Sequence, residues 1–168
     1  TYNNVTISNI APGIVTPAGN VTVVGNLAIS AGGTFNAQSY TLTLNGNYTN
    51  NGTFSANRGT VTLAGTVLQT LSGTMTGLSA FYNLTITNNT TNPSVTFSSS
   101  AAATNNFIAT TASVSVQFNA GSTYTFTNIN WNGQAAGTRV VLRSSVGGNT
   151  WDLVVTGTIP GTTPLANA

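Results

Sequence analysis

Only a handful of side chains in this sequence could take part in chemistry, and they can be weighed one by one. Among 168 residues there are three Arg, one Asp, and no Lys, Glu, His or Cys. Asp152 is the sole carboxylate, with Arg139 and Arg143 shortly before it. As a general acid or base it has no second titratable group to work with. Its expected role is an ion pair across adjacent strands, or a solvated turn position. Ser-His-Asp triads, thiol catalysis, paired-carboxylate hydrolysis and His/Cys metal centres all lack their parts. The chain is therefore expected to be no enzyme and to hold no cofactor or metal. Three Arg also fall well short of the cations that a row of phosphates demands, so nucleic acid is not an expected partner.

Other residue types are abundant enough to form patterns. Asn-x-Ser/Thr triplets begin at Asn4, Asn20, Asn47, Asn51, Asn83, Asn88 and Asn89, candidate glycosylation acceptors on an exported chain. With 23 Asn in the chain, chance alone generates roughly six such triplets, so their number carries no weight. The Thr-x-Thr pairs Thr41/Thr43, Thr60/Thr62, Thr85/Thr87 and Thr125/Thr127 suggest an ice-facing array. Their spacing along the chain is irregular, and threonine is a favoured strand residue in any case. Ice binding is the least favoured reading. The rings of Tyr2, Tyr48, Tyr82, Tyr124, Trp131 and Trp151 suit a sugar platform or a core, and their recurrence at otherwise apolar positions favours the core.

These residues must be placed by elements that almost lack charge. Only 2% of the chain is charged, against about 25% in an ordinary soluble protein. Hydrophobic residues supply 40% and are spread rather than blocked, and mean hydropathy is +0.15. That combination is not the signature of disorder. No run reaches the ~18 apolar residues of a membrane span. With no starting Met and no signal-peptide pattern, the chain is expected to be a mature or excised piece. Little titrates between Asp near pH ~4 and Tyr near ~10, so stability is expected to be almost independent of pH in that range. A surface hydrated by hydroxyls and amides suits an extracellular or cell-surface location.

Strand signals dominate. The recurrent phrase is apolar-Thr-apolar, the period of a half-buried strand. It occurs at Val5–Ile7, Val21–Val23, Leu42–Leu44, Val61–Leu63, Leu84–Ile86, Val95–Phe97 and Tyr124–Phe126. Thr138–Leu142 and Trp151–Val155 also look like strands. Pro160 and Pro164 mark the segment from Thr156 onward as a linker, an edge strand or a tail. Asn, Gly and Ser clusters punctuate the strands with turns.

Two levels of repetition favour a solenoid. Val21–Leu27, Leu42–Tyr48 and Val61–Val67 superpose at offsets of 21 and 19 residues. Tyr2–Ile7 returns as Tyr82–Ile86, Phe35–Ala37 as Phe118–Ala120, Tyr40–Thr43 as Tyr124–Thr127, and Asn47-Tyr48 as Asn130-Trp131. The expected fold is an all-β parallel β-helix of about eight coils of ~20 residues, grouped in two ~80-residue repeats. The repeats would span 1–80 and 81–155 of one domain, with 156–168 an extended tail. A β-sandwich of the jelly-roll pilin kind is the alternative.

The phrases SYTLTLNGNYTNNGTF (Ser39–Phe54), GTVTLAGTVLQTLSG (Gly59–Gly73), FYNLTITN (Phe81–Asn88) and RVVLRSSVGGNTWDLVVTGT (Arg139–Thr158) carry a resemblance. They resemble adhesin-like parallel β-helix repeats of large bacterial surface and secreted proteins. The resemblance implies a fold and a surface location, and no catalytic motif.

A solenoid has two open ends that natural arrays normally cap. No polar or helical cap is legible here. The expected function is therefore that of an extracellular structural module of a filament, stalk or fibre, assembled end to end by strand pairing. Thr1, Tyr2, Val5 and Ile7 at one end, and Ile159 and Leu165 at the other, are the candidate contacts. The partners would be copies of the chain itself or neighbouring repeats. The alternative is an adhesin module binding glycans through a lateral face.

Overall fold

The computed structural model describes residues 1–9 and 13–159. Every strand pairing is parallel, and the strands fall into three sheets wound as one continuous coil. Sheet I contains β1 (Val5–Ile7), β3 (Leu27–Ile29), β6 (Tyr48–Asn50), β9 (Gln69–Gly73), β11 (Val95–Phe97), β13 (Ser115–Phe118) and β15 (Val141–Ser144). Sheet II contains β2 (Val21–Val23), β5 (Thr41–Leu44), β8 (Thr60–Leu63), β10 (Phe81–Ile86), β12 (Ala101–Ala109), β14 (Thr123–Trp131) and β16 (Asp152–Val155). Sheet III is the short pair β4 (Thr34–Asn36) and β7 (Thr53–Ser55). The fold is an all-β parallel solenoid; the antiparallel hairpins of a jelly roll do not occur among the described strands.

The alternation read from the sequence is the in/out alternation of each strand. In sheet II, Val21, Leu42, Val61, Leu84, Phe107 and Ile129 stack one above the other. Leu42, Leu44, Val61, Leu63, Leu84 and Ile86 are buried, while Thr41, Thr43, Thr60, Thr62 and Thr85 on the other face are half-exposed. Each rung thus adds a layer at ~4.8 Å, and each fully buried Leu or Phe contributes roughly 1.5–3 kcal/mol by leaving water. Aromatic rings continue the stacking in the later rungs. Phe97 lies on Phe118 with centroids 5.5 Å apart and planes 6° apart, and Phe118 lies 4.1 Å from Trp151.

The coil count is about six rather than eight. Steps of 21 and 19 residues separate Val21, Leu42 and Val61, as the short repeat predicts. Later steps are longer: 23 from Val61 to Leu84, 23 from Leu84 to Phe107, and 29 from Tyr124 to Leu153. Most of the added residues sit at the corner between sheets II and I, and the last step also gains residues in the 145–151 loop between β15 and β16. That corner is short at 24–26 and 45–47, and long at 87–94 and 132–140. Insertions there leave the ladders intact.

The long-period match does not describe stacked positions. Val5–Ile7 belongs to sheet I and Leu84–Ile86 to sheet II; Phe35 is in sheet III and Phe118 in sheet I. An apolar-Thr-apolar phrase reports only which residues point inward. All three faces share that property, so similar phrases recur on different faces. Among the described residues, no helix is long and apolar enough to cross a membrane.

Candidate functional site: a polar corner and two open ends

The corner between sheets II and I is built from asparagine and glycine for a definable reason. Asn4 Oδ1 accepts the backbone N–H of Asn26, Asn26 Oδ1 that of Asn47, and Asn47 Oδ1 that of Thr70, each at 2.8 Å. Three side chains thereby replace the backbone ladder where the chain turns between sheets. The turn also needs close approach of successive rungs. A Cβ on Gly46 would run into the Gly25 carbonyl beneath it.

One rung later, at Gly65, the corner gains two residues, and a buried side chain fills the gap. Gln69 Oε1 accepts Gly65 N–H at 2.8 Å, and its Nε2 donates to the Leu44 and Gly46 carbonyls at 3.0 and 2.7 Å. Asn88 continues the chain, donating to Val67 O at 2.7 Å and to Gln69 Oε1 and Ser94 O at 3.2 Å. Ser94 Oγ then accepts Ser115 N–H at 3.2 Å. Gln69, Asn88, Ser94 and Ser115 are all buried, and their mutual satisfaction makes such a network tolerable in the interior.

The seven sequon asparagines are thus structurally unequal. Asn4, Asn20 and Asn47 are exposed and act through Oδ1, Asn20 accepting Thr41 N–H at 2.9 Å. Asn51 is exposed beside the turn into β7. Asn83 is half-buried and accepts from Asn105 and Asn106 at 2.9 and 3.2 Å, and Asn89 donates Nδ2 to Ala112 O at 3.0 Å. A glycan on Asn88, 1% exposed, would displace three hydrogen bonds.

The expected pairing of Asp152 with an arginine across adjacent strands is not what the topology provides. Asp152 opens β16 in sheet II, opposite Thr123. Arg143 lies on β15 in sheet I, opposite Gln117, and Arg139 lies in the corner before it. Tyr48 and Trp131 are core residues, and neither the Tyr48 hydroxyl nor Trp131 Nε1 has a hydrogen-bond partner among the described residues. Burial pushes the Tyr48 phenol far above its ordinary range, with the nearby Asn50 side chain acting in the opposite direction. Burial also raises Tyr124, against the opposing Asn119 N–H, which its hydroxyl accepts at 2.9 Å, and Ser122.

At the ends, β1 is open on one side and β15 and β16 on the other; the outer side of β2 is covered by Tyr2, whose N–H bonds to Thr22 O and whose carbonyl accepts Val24 N–H, both at 2.8 Å. Val5 N–H bonds inward to Asn26 O at 2.9 Å, and Ile7 O accepts Ser30 N–H at 2.8 Å. By the alternation of a parallel ladder, Thr6 turns its N–H and C=O to the open side. At the far end Val141 N–H and Asp152 N–H bond inward, to Val114 O at 2.9 Å and Ser122 O at 3.0 Å. Leu142, Ser144, Leu153 and Val155 then carry the outward-facing groups. Their side chains matter too: Val5, Val21, Leu142, Trp151, Leu153 and Val155 are only partly buried against the core, and Tyr2, which bridges to Val23, is 58% exposed.

Sequence reasoning names the tail as the far contact; the terminal strands at that end are β15 and β16. Thr156 and Gly157 donate to Phe126 O and Thr127 O at 3.1 and 2.7 Å, and Ile129 donates to Thr158 O at 3.1 Å. The start of the tail is therefore laid along β14. Ile159 is exposed, and Leu165 lies outside the described residues.

The architecture defines a parallel β-solenoid protein. No family model, curated protein or solved structure matches the chain. The solenoid that the adhesin-like phrases implied is present, and the likeness to adhesin repeats rests on those phrases alone.

Proposed function

We propose that this chain is an extracellular structural module whose two open ends pair with further solenoid, either another copy or neighbouring repeats, to build a filament, stalk or surface fibre. The observation that supports it is the polarity of the ends. Because every ladder is parallel, the edge formed by β15 and β16 offers outward groups in the same strand sense that the free edge of β1 accepts. Such head-to-tail contact does not close on itself, so it propagates. Backbone pairing provides the affinity and half-buried apolar side chains at both ends provide the burial. The near absence of charge removes the usual guard against association.

Sedimentation and electron microscopy across a concentration series test the reading. Concentration-dependent rods with a ~4.8 Å layer repeat along the axis are expected. Particles that stay monomeric at every concentration would remove self-assembly.

A further inference from the structure

The corner between sheets II and I, on the side that leads into β15, opens into a recess of about 400 Å³, within the roughly 300–1,000 Å³ of small-molecule sites. Three consecutive long corner segments, 87–94, 110–114 and 132–140, form its walls. A similar recess beside Arg58 is lined by exposed or half-buried residues alone. This one has a buried polar floor. Ser115, 2% exposed, donates its hydroxyl to Asn92 Oδ1 at 2.7 Å and rests on the buried Ser94 and Asn88.

The walls are preformed. Ser113 and Gln134 hold left-handed backbone at φ 63° and 75° in the two later segments. They are fixed there by Ser113 N–H to Thr138 O and Gln134 N–H to Asn132 Oδ1, both at 2.9 Å. Conformations of this kind persist where the surroundings over-determine them. Asn89, anchored through Nδ2 to Ala112 O at 3.0 Å, keeps Oδ1 as an acceptor, and Asn92, anchored through Oδ1, keeps Nδ2 as a donor. Arg139 supplies a guanidinium on the same lining. The single carboxylate of the chain, Asp152, stands on β16 in sheet II.

We propose that this recess binds an acidic sugar, a pyranose unit carrying a carboxylate. Arg139 takes the carboxylate through two parallel N–H donors, the geometry a guanidinium presents. The Asn89 acceptor and Asn92 donor take neighbouring hydroxyls, each of which both gives and receives a hydrogen bond. No aromatic ring lines the recess, so stacking contributes nothing and the anionic group decides selectivity. The recess borders the open end through Val141 of β15, but the groups that take the sugar are corner side chains and not the outward backbone of that strand.

The test is a titration of the full chain, followed by backbone amide shifts, with a galacturonate trisaccharide, its neutral galactose counterpart and inorganic sulfate at matched ionic strength. The acidic trisaccharide is expected to move the amides of 88–92, 113–115 and 136–139. Arg139→Gln is expected to weaken it by about tenfold or more with an unchanged melting temperature, while Arg58→Gln leaves it unaltered. Equal binding of the neutral sugar, equal binding of sulfate (an adventitious ion only), equal loss in Arg58→Gln, or no shift at all would each overturn the proposal.

Discussion

Asn26 and Asn47 stand one above the other at the same corner, and the side-chain oxygen of the first accepts the backbone N–H of the second at 2.8 Å. The bond substitutes for a missing ladder bond, so its loss leaves a backbone donor unpaired. Asn26→Ala is expected to destabilise the chain by about 1 kcal/mol, and Asn26→Asp, which keeps the acceptor, by less. Urea unfolding measures both, and faster hydrogen exchange at the Asn47 amide should accompany the alanine variant alone.

Gly46 gives the larger effect at the same corner. A methyl group there meets the carbonyl of Gly25 rather than a movable side chain. Gly46→Ala should cost roughly 1–3 kcal/mol, the range for overpacking. Gly19→Ala, with nothing within 4 Å of the new atom, should change little. Comparison of the two midpoints in thermal unfolding separates rung contact from glycine's general chain entropy.

The Tyr48 hydroxyl is buried without a partner among the described residues. Its folded pKa lies above the ordinary phenol value, so the associated stability is intact below about pH 10 and declines as pH rises beyond it. There the unfolded chain releases a proton that the folded chain retains, and the slope approaches ~1.4 kcal/mol per pH unit for each such tyrosine. Tyr124 adds to the decline, since its pKa is raised as well. Stability should therefore be flat from about pH 5 to 9 and fall at higher pH. Tyr48→Phe is expected to be neutral or stabilising by up to about 1 kcal/mol and to flatten the alkaline limb, which denaturant titrations at several pH values would show.

Thr6 provides a variant that separates assembly from folding. Its neighbours Val5 and Ile7 make the bonds that hold β1 on β3, and its own N–H faces the open edge. Proline is tolerated at such edge positions because no ladder donor is lost inside the molecule. Thr6→Pro is expected to keep the monomer's unfolding midpoint while suppressing rod formation at concentrations where the parent assembles, as read by sedimentation velocity. Undiminished rods in the variant would place the contact elsewhere.

What the sequence determined by itself is the local and periodic part. Val21-Thr22-Val23, Leu42-Thr43-Leu44 and Val61-Thr62-Leu63 predicted three stacked strands, and they stack residue for residue. Binary alternation sets which side chains point inward, and turn residues every few positions leave little choice but short strands. The tertiary structure decided the rest. Thr85 joins the Thr22, Thr43 and Thr62 column despite uneven spacing along the chain, because the extra residues between Thr62 and Thr85 lie outside the paired stretches of β8 and β10. The same freedom sends Val5–Ile7 and Leu84–Ile86 to different sheets. It separates Asp152 from Arg143 and brings Ser115, Asn92 and Arg139 around one recess. Hydrogen bonds between rungs join residues some twenty positions apart, and an in/out pattern cannot say which rung or which face a given phrase will occupy.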